Sequence, residues 1–214
     1  MDKNYWDSFY KKVEKDETVS LRSSFAKFCL DRFFNKKKIN IIDLGSGNGR
    51  DSVYFANQGY KVIAIDQSPI GIKILNKNLK TGYKKNLILK TADFVQEDFN
   101  KYKNINVFYS RFTIHSITKN EEKILLKKIY NSLANKGLFC IEVRTTKDPI
   151  YGTGKSCGDN TFIRDGHKRR FIDSIVFRKQ VTRLGFKELY FIEKNNLSIY
   201  KKDNPVLMRL ILEK

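Results

Sequence analysis

The stretch Ile39-Asn40-Ile41-Ile42-Asp43-Leu44-Gly45-Ser46-Gly47-Asn48-Gly49-Arg50-Asp51-Ser52 decides the fold. Its first half is an apolar run too short for a helix and broken at once by glycines, so it reads as a buried strand. Gly45, Gly47 and Gly49 then make a tight turn. Arg50 to Asn57 continues as a helix that Gly59 can end in the left-handed conformation. A turn of this kind lets a ligand approach the backbone, with the amino end of the next helix close by. A nicotinamide or flavin pyrophosphate site wants G-x-G-x-x-G, whose third glycine permits close helix packing; the spacing here is G-x-G-x-G, followed by Arg50 and Asp51. A P-loop is excluded, because no Gly-Lys-Ser/Thr follows the turn.

Downstream, Lys61 to Asp66 forms a second strand through Val62, Ile63, Ala64 and Ile65. Ser68 can cap and Pro69 can open a helix that runs to about Leu79. Strands at Leu87–Lys90, Ile105–Ser110 and Leu138–Arg144, with a helix over Glu121–Ala134, extend an alternation that implies a parallel, doubly wound α/β sheet. Phe186–Glu193 and Val206–Leu212 follow a helix near Ile172–Leu184. Only a short polar segment separates these two strands, which predicts an antiparallel pair. Upstream, Tyr5, Trp6, Phe9, Tyr10 and Val13, then Phe25, Phe28, Cys29 and Phe33, fall at helical spacing and predict two helices. Thr145 to Arg170 is the longest stretch without a pattern, and loops of that length are usually functional or disordered.

Asp66 lies 23 residues beyond Asp43, at the end of the second strand. A carboxylate there can accept both hydroxyls of a ribose. Asp93 follows the third strand with Phe94 beside it, a pair suited to taking the adenine amino group and covering its ring. Together these residues describe an adenosine pocket without a pyrophosphate. Over Ile39 to Arg144 they resemble the class I S-adenosylmethionine-dependent methyltransferases, and the turn from Asp43 to Ser52 is similar to that family's first motif. The run from Asp43 through Gly59 and Tyr60 to Asp66 looks most like the tellurite-resistance-type and related bacterial small-molecule enzymes.

The resemblance implies a Rossmann-like fold: a mainly parallel, doubly wound, seven-stranded sheet with an antiparallel last strand, as one domain over residues 1–214. It implies S-adenosyl-L-methionine as cofactor and S-adenosyl-L-homocysteine as product. Asp43, Gly45, Ser46, Gly47 and Gly49 would hold the methionine portion, Asp66 and Gln67 the ribose, and Asp93 and Phe94 the adenine. Residues 1–35 would cover the cofactor as a helical lid, with Trp6 foremost and Arg22, Ser24 and Phe25 close by. Aromatic residues at helical spacing are, equally, ordinary core.

The segment Tyr109-Ser110-Arg111-Phe112-Thr113-Ile114-His115 ends the fourth strand, at the crevice where open α/β sheets bind ligands. Ser110 is expected to face the cofactor there, and Arg111 and His115 are the candidate catalytic residues. The N/D-P-P-Y/F sequence of exocyclic-amine methylating relatives is absent. His115 can act as a base toward a hydroxyl near neutral pH, or can be a buried or capping imidazole. A carboxylate or phosphoryl oxygen needs no base. Residues 145–171 form the expected substrate loop, with Arg144, Tyr151, His167, Arg169 and Arg170 as candidate acceptor-binding residues. The arginine fork suits phosphate or carboxylate; the plainer reading is a solvated basic loop. Tyr151-Gly152, His167 and Arg169-Arg170-Phe171 look similar to methyltransferases encoded with bacterial capsule and surface-glycan pathways, some of which are thought to methylate a phosphoramidate.

The remaining constraints come from composition. The 214 residues are 41% apolar, about 47% with glycine, which is a globular composition. No apolar stretch nears the roughly 18 residues that span a bilayer, and the amino terminus has no secretory pattern, so the expected location is cytoplasmic with no membrane contact. Cys29, Cys140 and Cys157 are odd in number and form no C-x-x-C, and two histidines add no metal cluster. The formal charge of +19, with 31 lysines among many Asn and Ile residues, reflects either A/T-rich codons or selected anion binding. The expected partner is a small anionic acceptor, and the protomer a monomer or homodimer. An RNA methyltransferase comes second, and a non-catalytic adenosine-binding protein is a third class.

Overall fold

The computed structural model describes residues 3–13, 21–34, 39–79 and 85–214; parts of the expected lid, at 1–2, 14–20 and 35, lie outside them. Helices α1 (Lys3–Val13) and α2 (Ser24–Phe33) precede β1 (Asn40–Leu44), α3 (Arg50–Asn57), β2 (Lys61–Asp66), α4 (Pro69–Asn78), β3 (Leu87–Thr91) and β4 (Ile105–Arg111). Then come α5 (Lys119–Ser132), β5 (Leu133–Arg144), β6 (Lys155–Ser156), β7 (Thr161–Arg164), β8 (His167–Arg170), α6 (Ser174–Arg183), β9 (Lys187–Lys194) and β10 (Leu207–Glu213). Seven strands form the main sheet in the order β3-β2-β1-β4-β5-β10-β9. The first five run parallel, and β10 lies antiparallel between β5 and β9.

Both faces of the sheet are covered, which is why its central strands are nearly continuous apolar runs. Alternate residues of β1 serve opposite layers. Ile41 packs with Phe25 and Cys29 of α2, Phe55 of α3 and Leu75 of α4, whereas Ile42 and Leu44 pack with Leu125 and Ile129 of α5 and Phe177 of α6. The expected cap at Ser68 is present, its hydroxyl accepting from Gly71 N with Pro69 in the first turn. Thr118 and Glu121 close α5 with a reciprocal capping box. No helix among the described residues is long and apolar enough to cross a membrane.

The structure corrects one expectation. The stretch 145–171 is not an irregular loop: β6, β7 and β8 form a three-stranded antiparallel sheet. Asp165 and Gly166, both at positive φ (51° and 72°), make the two-residue turn between β7 and β8.

Strand order reverses between β1 and β4, so their carboxyl ends diverge and leave the crevice in which open sheets bind ligands. The glycine turn, Asp66, Arg111 and Arg144 all stand at carboxyl ends of adjacent strands along that edge.

Candidate active site

The glycine turn is welded to β2: Gly45 N and Ser46 N both donate to the Ile65 carbonyl, at 2.8 and 3.0 Å. Gly47 N and Ser68 N donate to the two oxygens of Asp66, at 2.8 and 2.7 Å. Gly45 and Gly47 hold φ of 71° and 59°. A Cβ on Gly45 would stand 2.2 Å from Thr113 Cγ2, and one on Gly47 would stand 2.4 Å from the Tyr10 hydroxyl. Left-handed backbone and close neighbours therefore both demand glycine.

Three buried carboxyl groups surround this turn. Asp43 accepts from Ser52 Oγ at 2.5 Å. Burial is the main cause that lifts its pKa to about 7; Asp51 and Asp66 add to the rise, and Ser52 and Arg111 oppose it. Asp66 rises to about 6, again through burial, against its two backbone donors. Asp51 accepts from Ser23 N, Ser23 Oγ and Tyr109 Oη at 2.7, 2.8 and 2.8 Å, which ties the cap of α2 to α3 and β4. Tyr10 reaches in from α1, and burial followed by Asp66 and Asp43 pushes its phenol well above the usual value.

The opposite side is basic. Arg111 donates to Glu142 at 2.9 Å and to Ser198 Oγ at 2.7 Å, with its guanidinium 4.4 Å from the Phe112 ring centre. Burial works against its charge, yet Glu142, Asp51 and Tyr109 raise its pKa above the ordinary arginine value. Glu142 also takes Arg209 at 2.6 Å, and Arg209 holds the Leu197 carbonyl, so this one carboxylate anchors the segment between β9 and β10. Arg144 pairs with Asp148 at 2.9 Å and with Asp203. His115 is buried, and its pKa is driven well below the usual imidazole value by burial, then by Arg169, His167, Arg144 and Arg170.

These groups enclose a cavity of about 690 Å³. Of the residues expected at the site, Trp6, Arg22, Asp43, Gly45, Ser46, Gly47, Asp66, Gln67, Phe94, Arg111, His115, Arg144 and Arg169 line it. Others are kept out of the lining, each for a physical reason. Phe25 is fully buried and stacks on Tyr109 at 5.3 Å, as core. Gly49 packs against Leu75 of α4. Asp93 turns back to accept from Val95 N at 2.8 Å. Ser110 is buried against Thr113 Oγ1. Tyr151 packs on Phe162 and Phe171 and donates to Asn160. Arg170 is consumed by Ile114 O, Ile117 O and Glu122. His167 lines a second cavity of about 440 Å³, which shares Trp6, His115 and Ser116 with the first.

Sequence reading placed Tyr10 in the expected lid with Tyr5, Trp6 and Phe9, all four of which line the cavity, and missed Asp51 and the wall from Asn196 to Pro205. The Arg-Asp pair after the glycines was a usable signal for Asp51. No local pattern marks the wall, which is brought in by long-range bonds to Arg111, Arg144 and Arg209.

Among the described residues, Ser46 Oγ, Gln67 Nε2, His115 Nδ1 and Arg169 Nε are buried without a hydrogen-bond partner, and all four residues line the cavity. Buried polar atoms left unpaired are costly, so the cavity is built for a polar ligand. The glycine cradle and ionisable acids at one end fit the sulfonium and amino-acid parts of S-adenosylmethionine.

Comparison with known proteins agrees. Carboxy-S-adenosyl-L-methionine synthase of Nautilia profundicola is 27% identical over 181 residues, 75% of each chain. An S-adenosylmethionine-dependent methyltransferase of Clostridium acetobutylicum superposes with a TM-score of 0.73 at 13% identity, over 97% of this chain and 98% of the other. The 1,6-didemethyltoxoflavin-N1-methyltransferase of Burkholderia thailandensis, solved with its acceptor and S-adenosylhomocysteine, gives 0.68 at 14% identity, over 97% of this chain and 86% of the other. The methyltransferase-domain profile matches residues 20–189, well over half of the chain, which belongs to that family: it is a class I S-adenosylmethionine-dependent methyltransferase.

Proposed function

We propose that the enzyme methylates an oxygen of a small anionic acceptor, with a phosphoryl, phosphoramidate or sugar-borne acid as the receiving group, in bacterial capsule or surface-glycan synthesis. Arg169 carries this reading. Its Nε is buried on the cavity wall without a partner, and no carboxylate among the described residues forms an ion pair with it. Burial and then Arg144 lower its pKa, so the pair of like charges is relieved by an anion placed between them. The similarity of residues 151–171 to capsule-associated enzymes supports the biosynthetic setting.

In this reading Asp43 and the glycine turn hold the amino-acid end of the cofactor. Asp66 still has lone pairs for two ribose hydroxyls after accepting from Gly47 and Ser68. Bound S-adenosylmethionine supplies a methyl group on a sulfonium, open to in-line attack. Arg111, pinned by Glu142, and Arg169 orient the acceptor, and orientation of two reactants contributes roughly 7–11 kcal/mol. His115 stays neutral at physiological pH and is a weak base, which suits an acceptor oxygen that arrives already ionised. Glutamine at position 115 is accordingly expected to lower kcat less than about tenfold, whereas loss of a general base costs typically 10²–10⁴-fold. A larger loss, with a wild-type pH limb that disappears in the variant, would restore His115 as the base.

Asp66→Ala should weaken S-adenosylhomocysteine by about ten- to a hundredfold in calorimetry, because both hydroxyls lose their acceptor. The function itself is tested with methyl-labelled S-adenosylmethionine and a panel of sugar phosphates, phosphoramidates and carboxylates. Label on an acidic oxygen supports the proposal, and label confined to RNA refutes it. The Nautilia relative, by its name, makes a carboxylated S-adenosylmethionine, and the same arginines would suit a carboxylate on the cofactor. Mass measurement of the cofactor pool after turnover separates that second reading from acceptor methylation.

A further inference from the structure

Helix α1 covers the cavity, and what holds it there is unusual. It has 11 residues, and isolated helices shorter than about 12–15 residues are marginal in water. Its cover must therefore be fixed from outside. At the cofactor side Asp7 accepts from Ser68 Oγ, the cap of α4, and Tyr10 lies against Gly47 and Gly71. At the other end the support comes from a different part of the chain. The imidazole of His167, on β8, stacks on Tyr5 with ring centres 4.2 Å apart and planes 19° apart, and meets Trp6 edge-on at 5.3 Å. His167 is buried but does not line the larger cavity. Two residues along the same strand, on the same face, Arg169 does line it.

We propose that His167 is a positioning residue that latches α1 to the acceptor strand, so that retention of the cofactor depends on a side chain that does not touch it. The proposal rests on reading the larger cavity as the cofactor site. Its physical content is that β8 carries both the acceptor arginine and the lid's anchor, so an acceptor that orders β8 also holds the cover shut. The contact that forms the latch is the stacked face of the ring. An aromatic pair contributes more than its buried area alone.

The test is dissociation of labelled S-adenosylhomocysteine from the full-length protein, chased with excess unlabelled ligand. His167→Ala and Tyr5→Ala should each speed release about three- to tenfold, the range expected for one lost aromatic pair. The double variant should release more slowly than the product of the two single effects predicts, because both singles remove the Tyr5–His167 stack. His167→Phe should restore the wild-type rate. Wild-type release from His167→Ala, or a His167→Phe variant as fast as His167→Ala, overturns the latch. Wild-type protein that takes up no S-adenosylhomocysteine would sink the cofactor reading instead. The latch is then decided in the free protein through Trp6, the sole tryptophan. His167→Ala must expose it to acrylamide quenching and His167→Phe must not; equal quenching in all three proteins overturns the latch.

Discussion

Asp43→Asn is expected to weaken S-adenosylhomocysteine binding about a hundredfold, consistent with the roughly 1.5–3 kcal/mol of a hydrogen bond to a charged group, and at the same time to stabilise the free protein above pH 6. Asparagine is nearly isosteric, and its carbonyl can still accept from Ser52 Oγ, so packing is kept while the charge is removed. In the unfolded chain this carboxyl titrates near the ordinary value of about 3.9, but in the fold its pKa is about 7, chiefly through burial. Between those values the folded protein keeps a proton that the unfolded chain gives up. Stability therefore falls as pH rises through that window, by at most about 4 kcal/mol. Asp66, at about 6, adds to the same slope. A cationic ligand reverses the preference by favouring the ionised carboxylate, so wild-type affinity should climb by up to about tenfold per pH unit and level off above 7. The Asn variant should lose the part of the slope that belongs to Asp43. Calorimetric titrations at three pH values, with scanning melts of the free proteins, measure both arms. Wild-type affinity in the variant would show that Asp43 faces no cation.

The glycine turn, Asp43 and Asp66 were legible because strand, turn and acid follow one another locally, and the parallel register then places them side by side. Other expected residues lie outside the cavity lining, where a competing local bond or a one-residue phase decides the outcome. Asp93 has the right address after β3, but an Asp so placed can also accept from the backbone two residues on, and does. Phe25 lies on the face of α2 that packs against Tyr109, a phase that composition does not reveal. The hairpin at 161–170 did have a signal, Asp165-Gly166 between two four-residue strands, hidden by the surrounding charge. The wall at 196–205 had none, because what fixes it is a buried network joining Arg111, Glu142 and Arg209 across distant segments.

Adjacent arginines on one short strand should separate sharply under mutation. Side chains alternate along a strand, so Arg169 and Arg170 point to opposite faces. Arg170 donates to Ile117 O at 2.9 Å, Ile114 O at 3.2 Å and Glu122 Oε2 at 2.5 Å, all buried. Those carbonyls flank the turn that carries His115. Arg170→Ala strands the Glu122 carboxylate and two carbonyls, and removing one partner of a buried ion pair costs about 3–5 kcal/mol. For a chain of this size the melting midpoint should fall by roughly 6–20 °C, since each kcal/mol shifts it by about 2–4 °C. Arg169→Ala breaks no described ion pair and relieves the repulsion from Arg144, so its midpoint should hold or rise. Its cost should appear in acceptor KM, by about tenfold or more, with S-adenosylhomocysteine affinity unchanged. Melts and steady-state kinetics on the two variants decide the matter: equal losses of stability would mean that Arg169 is a structural brace like its neighbour, and the acceptor would need another anchor.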